Sequence, residues 1–207
     1  MKIRSIATGK AKQYLKKHEE FESAYKKDNF VDSIKVYKMG LSGDFQVDKR
    51  FHGGGDKAIH IGSGVHLDEN PSFDKLFIGC NIVVEELTED TVCVGDIYKV
   101  GEVILEVTQP RQPCWKIGII FGKDINRYIV KNSATGWYVR VLKEGTIKVN
   151  DEMILEKRVS NLTIKDLSNY LKHVPDDRSI IEDILNLDSL AKSYKKDFLK
   201  RLGKNNS

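Results

Sequence analysis

Apolar and polar positions alternate along much of this chain at the two-residue period of a half-buried strand. The alternation runs through residues 2–7, 33–38 and 137–142. Residues 76–84 form a longer apolar run, β-branched at its end, which predicts a buried strand interrupted at Gly79. Residues 97–100 and 102–107 flank Gly101 as a tight hairpin. Residues 58–61 read as a short strand stopped by Gly62 and Gly64, and 146–149 and 153–155 as two more between Gly and Asn-Asp turns. Many short strands, with no helical crossovers between them, predict a mainly β fold closed as a β-barrel with few helices, and not a βαβ fold.

The period lengthens twice. Ile125, Tyr128 and Ile129 share one face behind Asp124, a candidate cap, so a helix is expected there, ending at 132–136. Beyond residue 160, Thr163 precedes Ile164, Leu167 and Leu171. Pro175-Asp176-Asp177 precedes a second apolar face, and Asp188-Ser189 a third that carries Leu190, Tyr194, Phe198 and Leu199. The chain therefore divides into a barrel domain at 1–158 and a small three-helix subdomain at 159–207, frayed from Gly203 onward. Helices this short are marginal alone and must pack together or on the barrel. Residues 10–30 are rich in Lys and Glu with scattered aromatics, and are expected to form a loose or partly helical surface insertion.

Composition narrows the function. At 207 residues, 40% hydrophobic and 31% charged, this is the balance of a globular protein. No apolar run approaches the roughly 20 residues of a membrane span, and residues 1–6 lack a signal-peptide core, so a cytoplasmic protein is expected. The net charge of +4 is mild and interleaved. It suits a small phosphate-bearing ligand and does not call for nucleic acid. Cys80, Cys93 and Cys114 are too few and too scattered for a disulfide framework or a closed zinc site, and Cys80 and Cys93 read as small core residues. The glycines at 53–55 match neither a P-loop nor a dinucleotide fingerprint, and no serine-hydrolase elbow is present.

Two stretches carry candidate chemistry. Pro110 and Pro113 bracket Arg111 and stiffen the loop before Cys114 and Trp115. Such a loop holds one thiol and one cation in fixed geometry, the cation favouring a thiolate. A buried, inert cysteine and a loop salt bridge at Arg111 are the plainer alternatives, and Trp115 is expected to anchor in the core. About 60 residues upstream, His52 precedes Gly53-Gly54-Gly55, with Asp44, Asp48 and Arg50 before it. The glycines allow close backbone approach to an anion, although an ordinary turn with a surface histidine accounts for them equally well.

Five ordered motifs across roughly residues 40–155 resemble the MOSC domain family, named for the C-terminal domain of molybdenum-cofactor sulfurase, and within it the YiiM-like branch of bacteria. They are Gly40-x-x-Gly43-Asp44-x-Gln46-x-Asp48, His52-Gly53-Gly54-x-Asp56, Val92-Cys-Val-Gly95-Asp96-Ile, Gln109-Pro-Arg-x-Pro-Cys-Trp115-Lys116 and Gly136-Trp-Tyr-x-Arg-Val-Leu142. The three-helix segment resembles the C-terminal appendage of that branch. The resemblance implies a MOSC-type β-barrel that binds molybdenum cofactor and reduces N-hydroxylated compounds, N-hydroxylated purine bases among them, in detoxification. Electrons would come from a separate redox partner. A non-enzymatic carrier of cofactor or sulfur is the alternative, and pyridoxal phosphate binding is a further term associated with the family. By the same resemblance Cys114 is the metal ligand. Cys114, His52 and Asp44 are the expected catalytic residues, His52 or Asp44 delivering the proton. Arg50, Gly53, Gly54, Asn81 and Arg111 are the expected cofactor-binding residues. The chain departs from the branch at residues 61–66 and at Gly79-Cys80-Asn81, where the family usually carries Gly-Glu-Asn.

Overall fold

The structure, a computed structural model, describes residues 1–47, 53–71, 73 and 77–205. The first strand, β1 (Ile3–Thr8), is followed by a hairpin of β2 (Lys12–Lys16) and β3 (Glu19–Ser23), then by β4 (Asn29–Phe30), β5 (Ser33–Tyr37) and β6 (Gly40–Leu41). A short 3-10 turn at Gly55–Lys57 leads into β7 (Ile59–Ser63), α1 (Val65–Glu69) and β8 (Ile82–Val84). The central hairpin is β9 (Ile97–Val100) and β10 (Val103–Pro110). After it come α2 (Trp115–Ile120), α3 (Lys123–Asn132), β11 (Trp137–Lys143), β12 (Gly145–Lys148) and β13 (Met153–Lys157). The chain ends in α4 (Ile164–Tyr170), α5 (Arg178–Asn186) and α6 (Lys192–Asn205).

Eight strands join one sheet in the order β13-β9-β10-β11-β7-β8-β1-β4, with a second sheet β12-β5-β6 and the separate β2-β3 ribbon. The fold is mainly β, as the alternation predicts, but the sheets do not close into the expected barrel. Backbone bonds from Ile3 N to Asp151 O and from Met153 N to Met1 O bring the start of β1 to the approach of β13. Only an isolated bridge, Lys2 to Glu152, forms there, so no continuous ladder joins the two sides. A closed barrel needs a continuous, staggered ladder around the whole ring, and the lone bridge between the β1 and β13 sides does not supply one. The expected absence of crossovers also meets an exception, because β7 and β8 pair in parallel with α1 between them.

The residues 10–30 are not a loose or partly helical insertion. Tyr14 pairs with Phe21 across β2 and β3, and their rings stack at 5.6 Å. Such cross-strand aromatic pairs stabilise a ribbon whose other positions are mostly charged and exposed. Lys17 takes the left-handed conformation that the tight turn requires.

The three C-terminal helices form as the apolar spacing predicts. Thr163 caps α4 in a full capping box with Asp166, and Asp177 caps α5. Ile164, Leu167, Ile184, Tyr194 and Phe198 join the same buried cluster as Ile61, Val107 and Trp137 of the sheet. The third helix starts at Lys192, later than Asp188-Ser189 suggests, because Ser189 Oγ binds Glu106 and Ala191 N binds Thr108 O instead. Likewise α3 is capped by Gly122, with Asp124 inside its first turn. No helix among the described residues is long and apolar enough to cross a membrane.

Candidate functional site

Strand alternation places the site. In β11 the side chains of Trp137, Val139 and Val141 enter the core, while Tyr138 faces a cleft on the other side. The end of β10 delivers Arg111 to that cleft, β7 delivers His60, and the turn before β8 delivers Gly79 and Asn81. The loop after β3 adds Tyr25 and Lys27, the turn after β6 adds Asp44 and Gln46, and the glycine segment adds Gly53 and Lys57. Gly53 and Gly79 have φ of +132° and +71°. A Cβ at Gly79 would lie 1.9 Å from the Tyr25 carbonyl oxygen, so this glycine admits the Tyr25 loop to the cleft. Beside it, buried Ile78 holds φ of +45°, a costly conformation for a β-branched residue.

The cleft is electropositive. Among the described residues, Lys27, Lys57, Arg111 and Lys116 line it, against a single carboxylate, Asp44. That carboxylate is already engaged: Lys27 Nζ donates to its two oxygens at 2.7 and 2.9 Å, Gly9 N at 2.9 Å and Asn81 Nδ2 at 3.0 Å. Asp44 therefore holds a buried lysine in place, and four hydrogen bonds from three donors leave little room for it to deliver a proton. Burial pulls the Lys27 and Lys57 ammonium groups below their ordinary range, against the pull of Asp44 on Lys27 and of Asp197 on Lys57. Burial, and then the charge of Arg111, hold His60 far below the usual imidazole value, so it stays neutral. Its Nε2 lies 3.0 Å from Thr135 O.

Arg111 is 4% exposed, and its Nη1 has no hydrogen-bond partner. Its guanidinium carbon sits 4.9 Å from the centroid of the Tyr25 ring and lies against the Tyr138 phenol. The plain expectation of a loop salt bridge at Arg111 is not met; the ion pairs of the described residues do not include it. Cys80 stands nearby, its thiol pushed up to about 12 by burial against the opposing pull of Arg111, and is a neutral core residue as its apolar run suggests. Cys93 is likewise buried.

Cys114 is partly buried and stands at the N-cap position of α2. Its Sγ lies 3.3 Å from Tyr25 Oη. The thiol and the buried cation thus meet on the two sides of one tyrosine. Of the other expected residues, Gly53 and Asn81 line the cleft and Gly54 adjoins it. Asn81 is largely consumed by structure, binding Asp44 and His60 N. His52, Arg50 and Asp48 lie outside the described residues. Trp115 is not the core anchor it was expected to be: it is 50% exposed, edge-on to Phe21 at 4.8 Å, with Lys16 Nζ 4.1 Å from its ring centroid. Tyr25, Lys27, Lys57 and His60 were missed. Tyr25 and Lys27 lie in a charged stretch, Lys57 directly after the glycine motif in the 3-10 turn, and His60 near the start of β7, where the local pattern is ordinary. No cluster of three or more His, Cys, Asp or Glu side chains that could hold a metal ion occurs among the described residues.

A second polar unit braces the cleft from behind. Buried Glu89 takes the Gly136 N–H at 2.7 Å and His66 Nε2 at 2.8 Å, and Gly136 O accepts Arg111 N–H. His66 titrates above its usual value: burial pulls it down, but the hydrogen bond and charge of Glu89, aided by Glu69 and Asp90, outweigh that. A raised folded value stabilises the fold fully below about pH 6.5, the ordinary histidine value, and the benefit is lost as pH rises through the raised value. Urea unfolding across pH 6–9 is expected to show this decline in the native chain and not in His66→Gln. Parallel curves for the two would remove the ion pair from the account.

Fold and site together define a sheet-dominated protein with a thiol-bearing loop beside an anion-attracting cleft. The MOSC domain family model matches residues 48–154, more than half of the chain, and the chain belongs to that family. Within the family it is YiiM-like. It is 31% identical to Protein YiiM of Escherichia coli (strain K12) over 205 residues, 95% of this chain and 90% of that protein. It also matches the crystal structure of YiiM from Geobacillus stearothermophilus with a TM-score of 0.78 and 30% identity, over 97% of this chain and 98% of that one. A protein named Reductase from Gibberella moniliformis (strain M3125 / FGSC 7600) is 34% identical over 150 residues, which is 67% of this chain and 26% of that longer protein.

Proposed function

We propose that the chain is a molybdenum-cofactor-dependent reductase of N-hydroxylated compounds, such as N-hydroxylated purine bases, supplied with electrons by a separate redox partner. MOSC domains are associated with that cofactor, and a relative bears the name Reductase. The observation that carries the reading is Arg111, a buried guanidinium with an unmatched Nη1 in a cation-lined cleft, three residues before a partly exposed thiol. An unpaired buried cation is costly unless an anion completes it.

The residues fit the group. Cys114 supplies a soft thiolate for the metal, and Arg111 with Lys57 and Lys116 matches the cofactor's phosphate. Bound, the cofactor supplies a two-electron couple. Reduction of R–NHOH to R–NH2 and water takes two electrons and two protons and breaks the N–O bond. Within the described residues Asp44 positions Lys27, neutral His60 offers a dipole without charge, and Lys57, its ammonium lowered by burial, is suited to pass on a proton.

The test is turnover of N-hydroxylated adenine by protein made in a cofactor-competent host, with dithionite replacing the partner. Formation of the amine, one for every two electrons consumed, is expected. Molybdenum bound with no amine formed would sink the reductase and leave a carrier of cofactor or sulfur.

A further inference from the structure

The last helix, α6, has two faces. Tyr194 and Phe198 are buried in the cluster that includes the sheet, and Tyr194 Oη donates to Leu167 O at 2.7 Å. Lys192, Lys196 and Lys200 recur every four residues on the outer face, where i and i+4 neighbours line up. All three are exposed, with Arg201 beside them and Leu199, 50% exposed, among them. Among the described residues neither Lys192 nor Lys196 has a carboxylate within ion-pair distance. The one acid of the helix, Asp197, is taken up on the side of the proline loop. It accepts from Gln112 Nε2 at 3.3 Å, and its charge acts on Lys57 of the cleft. The start of α6 also rests on the strand and loop that lead to Cys114: Ala191 N–H donates to Thr108 O at 3.1 Å and Ser193 Oγ to Gln109 Oε1 at 2.8 Å. The lysines of the β2–β3 ribbon build no comparable field, because Lys16 stands opposite Glu19 and Lys12 pairs with Asp28.

We propose that the outer face of α6, formed by Lys192, Lys196, Leu199 and Lys200, docks the electron donor, a protein that carries an acidic face around its redox centre. The proposal rests on the functional reading above, which requires such a donor. Electron-transfer pairs associate weakly, over less than about 1,200 Å² in total, and opposite charge steers their encounter. A row of unpaired lysines around one exposed leucine has the anatomy of such a surface, an apolar centre with a charged rim. A protein seated there lies against the loop that carries the thiol and beside the cation-lined cleft. That contact with the thiol loop favours an electron donor over nucleic acid. A one-electron donor docks twice per turnover: two reduced carriers each give one electron, solvent gives two protons, and R–NHOH becomes R–NH2 and water.

The experiment uses the molybdenum-loaded full chain and, as probe, a plant-type [2Fe–2S] ferredoxin, an acidic one-electron carrier. In Lys192→Glu/Lys196→Glu the ferredoxin-driven kcat/KM is expected to fall about tenfold or more at low salt, and its decline with added salt to flatten. Dithionite-driven turnover is expected to be unchanged, which also shows that the variant is folded. Lys35→Glu/Lys148→Glu, at exposed positions of β5 and β12, makes the same change in net charge and is expected to match the native chain in both assays. Equal losses in the two double variants, or no loss in either, overturn the proposal. Isothermal titration calorimetry of oxidised ferredoxin against the metal-free full chain separates this proposal from the functional reading. Binding that depends on α6, with no amine formed by the loaded native chain, would sink the reductase and keep the docking face. Dithionite-driven turnover with no ferredoxin binding would sink the docking face alone. A duplex DNA oligonucleotide that binds the native chain more tightly than ferredoxin, and is released by the α6 substitutions, would assign the face to nucleic acid and overturn the proposal.

Discussion

Cys114→Ala is expected to leave the chain folded and free of molybdenum. The residue is only partly buried, its side chain makes no cap hydrogen bond, and its recorded partner is the Tyr25 hydroxyl. Removing a small side chain there costs about 1 kcal/mol or less, within the range of ordinary substitutions. Removing a ligand costs more than the roughly 10–100-fold in affinity or activity lost with outer-shell partners. The measurement is molybdenum per chain, by mass spectrometry of the metal, in protein from a cofactor-competent host, alongside a denaturation curve. Stoichiometric metal in the native chain and almost none in the variant is the expected pair. Full retention of metal in the variant would show that the thiol is not the ligand.

Asp44→Ala is expected to have the opposite profile, a large loss of stability. Asp44 and Lys27 expose only 4% and 8% of their side chains, and the carboxylate also satisfies Gly9 N and Asn81 Nδ2. Truncation strands a buried ammonium, which costs about 3–5 kcal/mol. For a chain of this size that is a fall in Tm of roughly 6–20 °C. Replacing both partners, as Lys27→Met with Asp44→Leu, is expected to recover much of the loss, because apolar residues of similar volume need no compensating charge. A loss below about 1 kcal/mol for the single variant would mean that the pair is solvated and that Asp44 is available for proton transfer after all. The motif around Asp44 marked it as a site residue; its surroundings assign it the task of seating Lys27.

Much of the scaffold was legible because it is written in short-range periods. The β9–β10 hairpin about Gly101, the strand at 137–142 with its buried Trp137, and the Thr163 cap each follow from residues a few positions apart. The 12–23 ribbon was missed because most of its outward positions are charged, and only the Tyr14–Phe21 pairing across the turn reveals a strand register. Trp115 was misplaced for a related reason. A tryptophan is usually buried, but here the rigid proline loop turns it toward the ribbon, where Phe21 and Lys16 cover part of its surface.

The sequence by itself determined the mainly β character, the three C-terminal helices, the proline-stiffened thiol and the resemblance to MOSC domains. Those rest on local spacing and ordered motifs. Tertiary structure alone decided that the sheet stays open, that Asp44 is spent on Lys27, that Arg111 is buried without an anion, and that Tyr25 stands between that cation and Cys114. The contacts behind these last facts join residues 17 to 89 positions apart. Burial sets whether a charge is free or bound, and no local pattern records which distant side chains share one low-dielectric cleft.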